Sequence, residues 1–248
     1  MLMNAPNLAL LVVAVIFTAA FVRSALGFGD AVIAMPLLAA SASLKTAAPL
    51  VAFMGPAISI LILAKHWPEA DLKSAAKLIA ASLAGIPLGI YLLTRLPEAP
   101  LRAALGIIVL LYGLFGLLKP AMRIENEKAG LPYIVGFIAG ILGGAYNING
   151  PPAVIYGMLK GWPPERFRAT LQGYFLPTGL VILLGHGAAG LWTGQVLRLF
   201  AFSLPALCLG VWLGGKVHSR VPERTFRQAV YASLVIMGGF LVLRVLLP

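Results

Sequence analysis

Two short stretches place polar residues and helix breakers inside otherwise apolar sequence. The first is Arg-Ser-Ala-Leu-Gly-Phe-Gly-Asp, residues 23–30, and the second is Gly-Gly-Ala-Tyr-Asn-Ile-Asn-Gly-Pro-Pro, residues 143–152. Glycine and proline interrupt helices, and Asn and Asp favour caps and turns. A helix that restarts at such an interruption aims its free N–H groups and the positive end of its dipole at the gap, which suits an anion. Gly27, Gly29, Gly143, Gly144 and Gly150 would let a ligand approach the backbone closely. Asn147 and Asn149 add amide donors, and Ser24 joins the same substrate-binding set. Pro151 and Pro152 suit the first turn of the following helix, where no N–H is missed. The competing reading is that the glycines only let helices pack closely.

Arg23 and Asp30 are the charged residues of the first stretch. Charges buried at membrane depth are costly and commonly functional. Either they pair and hold the local shape, or Arg23 meets an anion while Asp30 serves as a proton-coupling site or tunes the charge. Gln172, alone in an apolar run, faces a cavity or another helix and completes the candidate set. Tyr146 and Tyr174 are weaker candidates. Lys160, Arg166 and Arg168 flank a short loop and set topology, with Arg168 also placed to line an inner exit.

These residues need a membrane around them. The 248 residues are 60% hydrophobic and 11% charged, with a mean hydropathy of +0.94. Soluble domains carry roughly 25% charged residues, so most apolar surface here must face lipid or other helices. The formal charge of +11 sits in short loops, where topology and anionic headgroups account for it. No basic helix or zinc spacing points to nucleic acid. His66, His186 and His218 are far apart, so no metal and no cofactor is expected. Cys208, the single cysteine, is expected to be a buried inert thiol. No basic stretch precedes Leu8, so the first apolar run is expected to belong to the mature protein.

Six apolar runs are long enough to span hydrocarbon: Thr46–Ala64, Leu72–Thr94, Leu101–Leu118, Ala169–Leu184, Val196–Gly215 and Phe226–Leu247. Two further regions, Leu8–Ala40 and Leu131–Leu159, each read as two short half-helices around one of the polar stretches. The regions match each other at a shift of 116, pairing Phe21 with Phe137, Gly27 with Gly143 and Pro36 with Pro152. Later helices match at slightly larger shifts, such as Pro87 with Pro205. The expected architecture is therefore all-α, with repeats 1–124 and 125–248 forming one transport unit.

Basic residues favour the cytoplasmic side. If each interrupted region crosses the membrane, giving eight spans, Lys and Arg divide ten against eight. If each is a re-entrant hairpin beside three full spans, they divide five against thirteen. The second arrangement inverts one half relative to the other and places both termini outside.

The run Gly27–Pro36, Gly-Phe-Gly-Asp-Ala-Val-Ile-Ala-Met-Pro, resembles the first signature of the TauE/SafE family of sulfite exporters. The run Asn149–Tyr156, followed by Trp162-Pro163 and Phe167-Arg168-Ala169-Thr170, resembles the second. The resemblance covers nearly the whole chain. It implies carriage of sulfite, thiosulfate or sulfonates across the bacterial inner membrane, driven by an ion gradient. The sequence likewise has no Gly-x-x-x-x-Gly-Lys-Ser/Thr phosphate loop. Asp30 departs from the small or apolar residue expected there, which opens the question of substrate charge and coupling.

The partners expected are a small anion, protons and lipid, with a homodimer left open. An intramembrane enzyme would need a nucleophile and base or paired carboxylates, and Asp30 stands alone. A non-transporting subunit of a complex would not need two matched interruptions with polar tips. A channel is not separable from a carrier at this level.

Overall fold

A computed structural model describes residues 5–66, 72–118, 130–218 and 223–246. All regular structure among them is helical. The helices are α1 (Ala5–Leu26), α2 (Asp30–Ser41), α3 (Leu44–His66), α4 (Leu72–Arg95), α5 (Glu98–Leu118), α6 (Leu131–Tyr146), α7 (Gly150–Leu159), α8 (Pro164–Ala188), α9 (Gly194–His218) and α10 (Glu223–Leu246). The expected boundary at 124/125 and the loop residues Lys119, Arg123, Lys128 and Arg220 lie outside the described residues, as does Leu247 at the end of the sixth run.

Among the described residues, α1, α3, α4, α5, α8 and α9 are long and apolar enough to cross a bilayer. Five of these coincide with expected runs. The other, α1, corrects the half-helix expected at Leu8–Val22: it continues as one helix of 22 residues. Arg23, Ser24, Ala25 and Leu26 include no breaker, and Gly27 N–H still closes the last turn on Arg23 C=O at 2.7 Å. Helix α6 likewise runs through Gly143 and Gly144 to Tyr146. The interruptions shrink to 27–29 and 147–149. Gly27 and Gly29 turn the chain at φ 86° and 102°, and Asn147 does so at 58°. These left-handed values suit glycine and are tolerated by asparagine.

Helix pairs close through glycine. A Cβ on Gly210 or Gly214 of α9 would lie 2.6 or 2.3 Å from the carbonyls of Phe17 or Phe21 on α1. A Cβ on Gly85 or Gly89 of α4 would lie 2.3 or 2.1 Å from those of Phe137 or Ile141 on α6. Residue numbers climb together in both pairs, so each pair is parallel. Without hydrophobic drive between helices in lipid, such backbone approach is how packing energy is gained. By contrast α5 and α10 are antiparallel, with Gly106 against Gly238 and Gly116 against Tyr231. Helices α3 and α8 are antiparallel too, with Pro56 against Gly179 and Ser59 bonded to Gln172.

Helices α1 and α6 end at Leu26 and Tyr146, 120 residues apart rather than 116. The sequence pairing is thus about one helical turn out of step. Apolar helices offer many equivalent matches, and the backbone contacts are what fix the register. Cys208 is exposed on α9, not buried. It lies off the glycine face that meets α1.

Candidate functional site

Helix α1 delivers Arg23 in its last turn, and the turn at 27–29 brings Asp30 back to it as the first residue of α2. Arg23 Nη1 donates to Asp30 Oδ2 at 2.6 Å. Arg23 Nη2 donates to Gln172 Oε1 at 3.0 Å and to Ser59 Oγ. Its guanidinium stands 4.9 Å from the Phe175 ring centre. Gly55 leaves room beside it, since a Cβ there would lie 3.8 Å from Nη1. Gln172 Nε2 donates to Gly27 C=O, and Arg168 Nη2 donates to Ser24 C=O. The α1 carboxyl end is therefore gripped by two side chains of α8, one turn apart.

The second interruption is built without charge. Asn147 Nδ2 donates to Ala48 C=O of α3 at 2.7 Å. Asn149 Nδ2 donates to Thr178 Oγ1 of α8 at 3.0 Å. Helix α7 starts at Gly150 with no acidic residue in its first turn. Because Pro151 and Pro152 carry no N–H, Gly150 supplies the only amide of its first three residues.

Between the interruptions lies a small cavity. Arg23, Gly29, Asp30, Ala31 and Val32 wall one end, and Asn147, Asn149 and Gly150 the other. Val51, Ala52, Gly55 and Pro56 of α3 and Phe175, Gly179 and Ile182 of α8 form the sides. Those stretches are the middles of two antiparallel spans, so the cavity sits deep. It combines polar ends with apolar flanks.

Six of the residues singled out from sequence thus meet at one cavity: Arg23, Gly29, Asp30, Asn147, Asn149 and Gly150. Gln172 and Gly27 stand behind the Arg23 wall, bonded to each other. Ser24 points elsewhere, donating to Val211 C=O of α9 at 2.8 Å. Gly144 faces α4, where a Cβ would lie 2.2 Å from Ile86 C=O. For Gly144 the close-packing reading holds. Tyr146 donates to Leu101 C=O and Tyr174 meets Ser82 Oγ. Sequence reasoning missed Ser59, Thr178 and the apolar walls. A lone Ser inside an apolar run and the Gly55-Pro56 and Thr178-Gly179 pairs were the available signals.

Asp30, Ala31 and Val32 begin α2, and helix starts leave N–H groups unpaired. That positive end already faces the Asp30 carboxylate, which Arg23 in turn neutralises. The α7 end has no such counter-charge. An anion entering the cavity would meet the Gly150 amide at the Asn149–Gly150 end, with the Arg23 guanidinium across from it.

A family model described as sulfite exporter TauE/SafE matches residues 12–241. A curated relative, the probable sulfite/organosulfonate exporter TauE of Cupriavidus necator, is 24% identical over 228 residues, covering 90% of this chain and 89% of the relative. No solved structure matches the chain. The matched stretch runs from within α1 to within α10 and takes in both interruptions, and the chain belongs to the TauE/SafE sulfite exporter family.

Proposed function

We propose that this protein is a secondary transporter that carries a small sulfur-containing anion, such as sulfite, thiosulfate, sulfoacetate or another sulfonate, across the inner membrane. The deep cavity carries the reading: the start of α7 and a buried arginine both line it. The relative's name, a sulfite/organosulfonate exporter, supports the substrate class. Outward movement of an anion is favoured by a negative interior, by about 2.3 kcal/mol per charge per 100 mV.

The two halves act as inverted repeats, each with one re-entrant pair, and both termini face outward. Antiparallel α3 and α8, antiparallel α5 and α10, and the corresponding glycine contacts of α1–α9 and α4–α6 support this arrangement. Asp30 couples transport to protons by exchanging Arg23 with the incoming anion.

Proteoliposomes loaded with labelled sulfite, thiosulfate or sulfoacetate test the reading under imposed proton gradients. Saturable efflux is expected, slowed at least tenfold by Arg23→Lys with the protein still folded. Full-rate efflux from folded Arg23→Lys and Asn149→Ala proteins would remove the site. Unchanged proton dependence in Asp30→Asn would remove the coupling role.

A further inference from the structure

His186 is fully buried in the last turn of α8, one turn beyond the cavity wall residue Ile182. Its Nε2 lies 2.9 Å from the carbonyl of Gly144, in the last turn of α6. A carbonyl only accepts, so Nε2 carries the proton. Nδ1 is then a bare lone pair, and it is buried without a hydrogen-bond partner. A buried polar atom left unsatisfied costs about 1–3 kcal/mol, so its retention calls for a use.

We propose that His186 is a proton-binding site at the α7 end of the cavity, and that proton and transported anion each promote the binding of the other. A proton on Nδ1 turns the ring into a cation. The carboxyl end of α6 favours a cation there, since its dipole is negative at that end. Among the described residues, the carboxylate that lines the cavity, Asp30, is held by Arg23 at the other end. Among the described residues, the charged or titratable side chains on the helices around α8 include Lys45 of α3, Lys77, Tyr91 and Arg95 of α4, Glu98 of α5, Tyr133 and Tyr146 of α6, Tyr156 of α7, and Arg198 and Lys216 of α9. Lys45 donates to Thr94 C=O, Arg198 donates to Gly194 C=O, Arg95 is exposed, and Tyr146 donates to Leu101 C=O. Glu98, the one carboxylate of this set, is committed to Leu44 N–H and Arg102. The remaining source of negative charge is an anion at Asn147 and Asn149, which immediately follow the helix that His186 touches. Linkage then requires that each ligand strengthen the other by one common factor.

The anion half of this inference rests on the transporter reading; the titration of His186 does not. The test uses purified full-length protein and ethanesulfonate, a strong-acid anion whose own charge is constant across the range. Binding measured by calorimetry is expected to be about tenfold tighter at pH 6 than at pH 8, within the usual range of coupling. His186→Gln keeps a donor for Gly144 C=O but cannot titrate, and the ratio between the two pH values should shrink to the part that Asp30 carries. A ratio unchanged in His186→Gln would overturn the proposal and leave the coupling to Asp30 alone. As a check that needs no variant of His186, nitrogen-15 histidine spectra of a protein lacking His66 and His218 should show Nδ1 gaining a proton on acidification, and gaining it at higher pH when ethanesulfonate is present. A histidine that titrates without responding to the anion would sink the coupling, and one that stays neutral throughout would sink the proton site.

Discussion

The two interruptions solve one backbone problem with different chemistry. At 27–29 two glycines turn the chain, and a buried ion pair with two polar α8 side chains satisfies the exposed groups. At 147–149 an asparagine makes the turn, and amides tie the segment to α3 and α8 with no charge at all. Shape is conserved between the regions while electrostatics is not. Charge at the first is locked internally, while the second presents the Gly150 amide and no charge among the residues that line the cavity there.

The contrast is broken most severely at Arg23. Arg23→Ala strands the Asp30 carboxylate in a buried site, and loss of about 3–5 kcal/mol is expected, as when one member of a buried pair is removed. The double variant Arg23→Ala/Asp30→Asn should regain much of that in thermal unfolding in detergent. If it does not, the pair is no more than packing. Next comes Gly144→Ser, which places in the second region the residue that Ser24 supplies in the first. Its Cβ would meet Ile86 C=O at 2.2 Å, and overpacking of this kind costs about 1–3 kcal/mol.

Smaller effects separate the two turns. Gly29→Ala forces a left-handed backbone on a residue with a Cβ, at about 1–2 kcal/mol. Asn147→Gly should be nearly neutral for the backbone, so any loss reports its bond to Ala48 C=O, about 1 kcal/mol. Gly150→Ala should be the mildest, since its Cβ would find only ordinary contact with Phe175 at 3.7 Å. A change within about 0.5 kcal/mol is expected. If that variant nonetheless slows anion efflux, the α7 start is where the anion sits.

Much of this was legible in the chain itself. Run length and apolarity gave five of the spans, and Gly-Phe-Gly and Asn-Ile-Asn-Gly-Pro-Pro marked both interruptions. Arg23, Asp30, Asn147 and Asn149 were found because polar residues are conspicuous in apolar sequence. What stayed hidden depends on rotation about a helix axis. Ser24 sits one residue from Arg23, yet it faces α9 while Arg23 faces the cavity. Gly144 looks like a ligand-binding glycine by position, but it faces α4. Helices with apolar residues on every side carry no periodic signal to say which side meets lipid. The same uniformity allowed a repeat register one turn away from that of the backbone contacts.

The parallel glycine seams have a consequence for how the molecule can exist. Helix α1 is seated on α9 and α6 on α4, so each half's opening helix is clasped by the opposite half. Neither half owns a complete set of neighbours. Severed at the long connection before α6, the two pieces should be unstable apart and should find each other when co-expressed. For the same reason the first and second halves of the chain should not separate as two bodies: the seams bind segments of one to segments of the other.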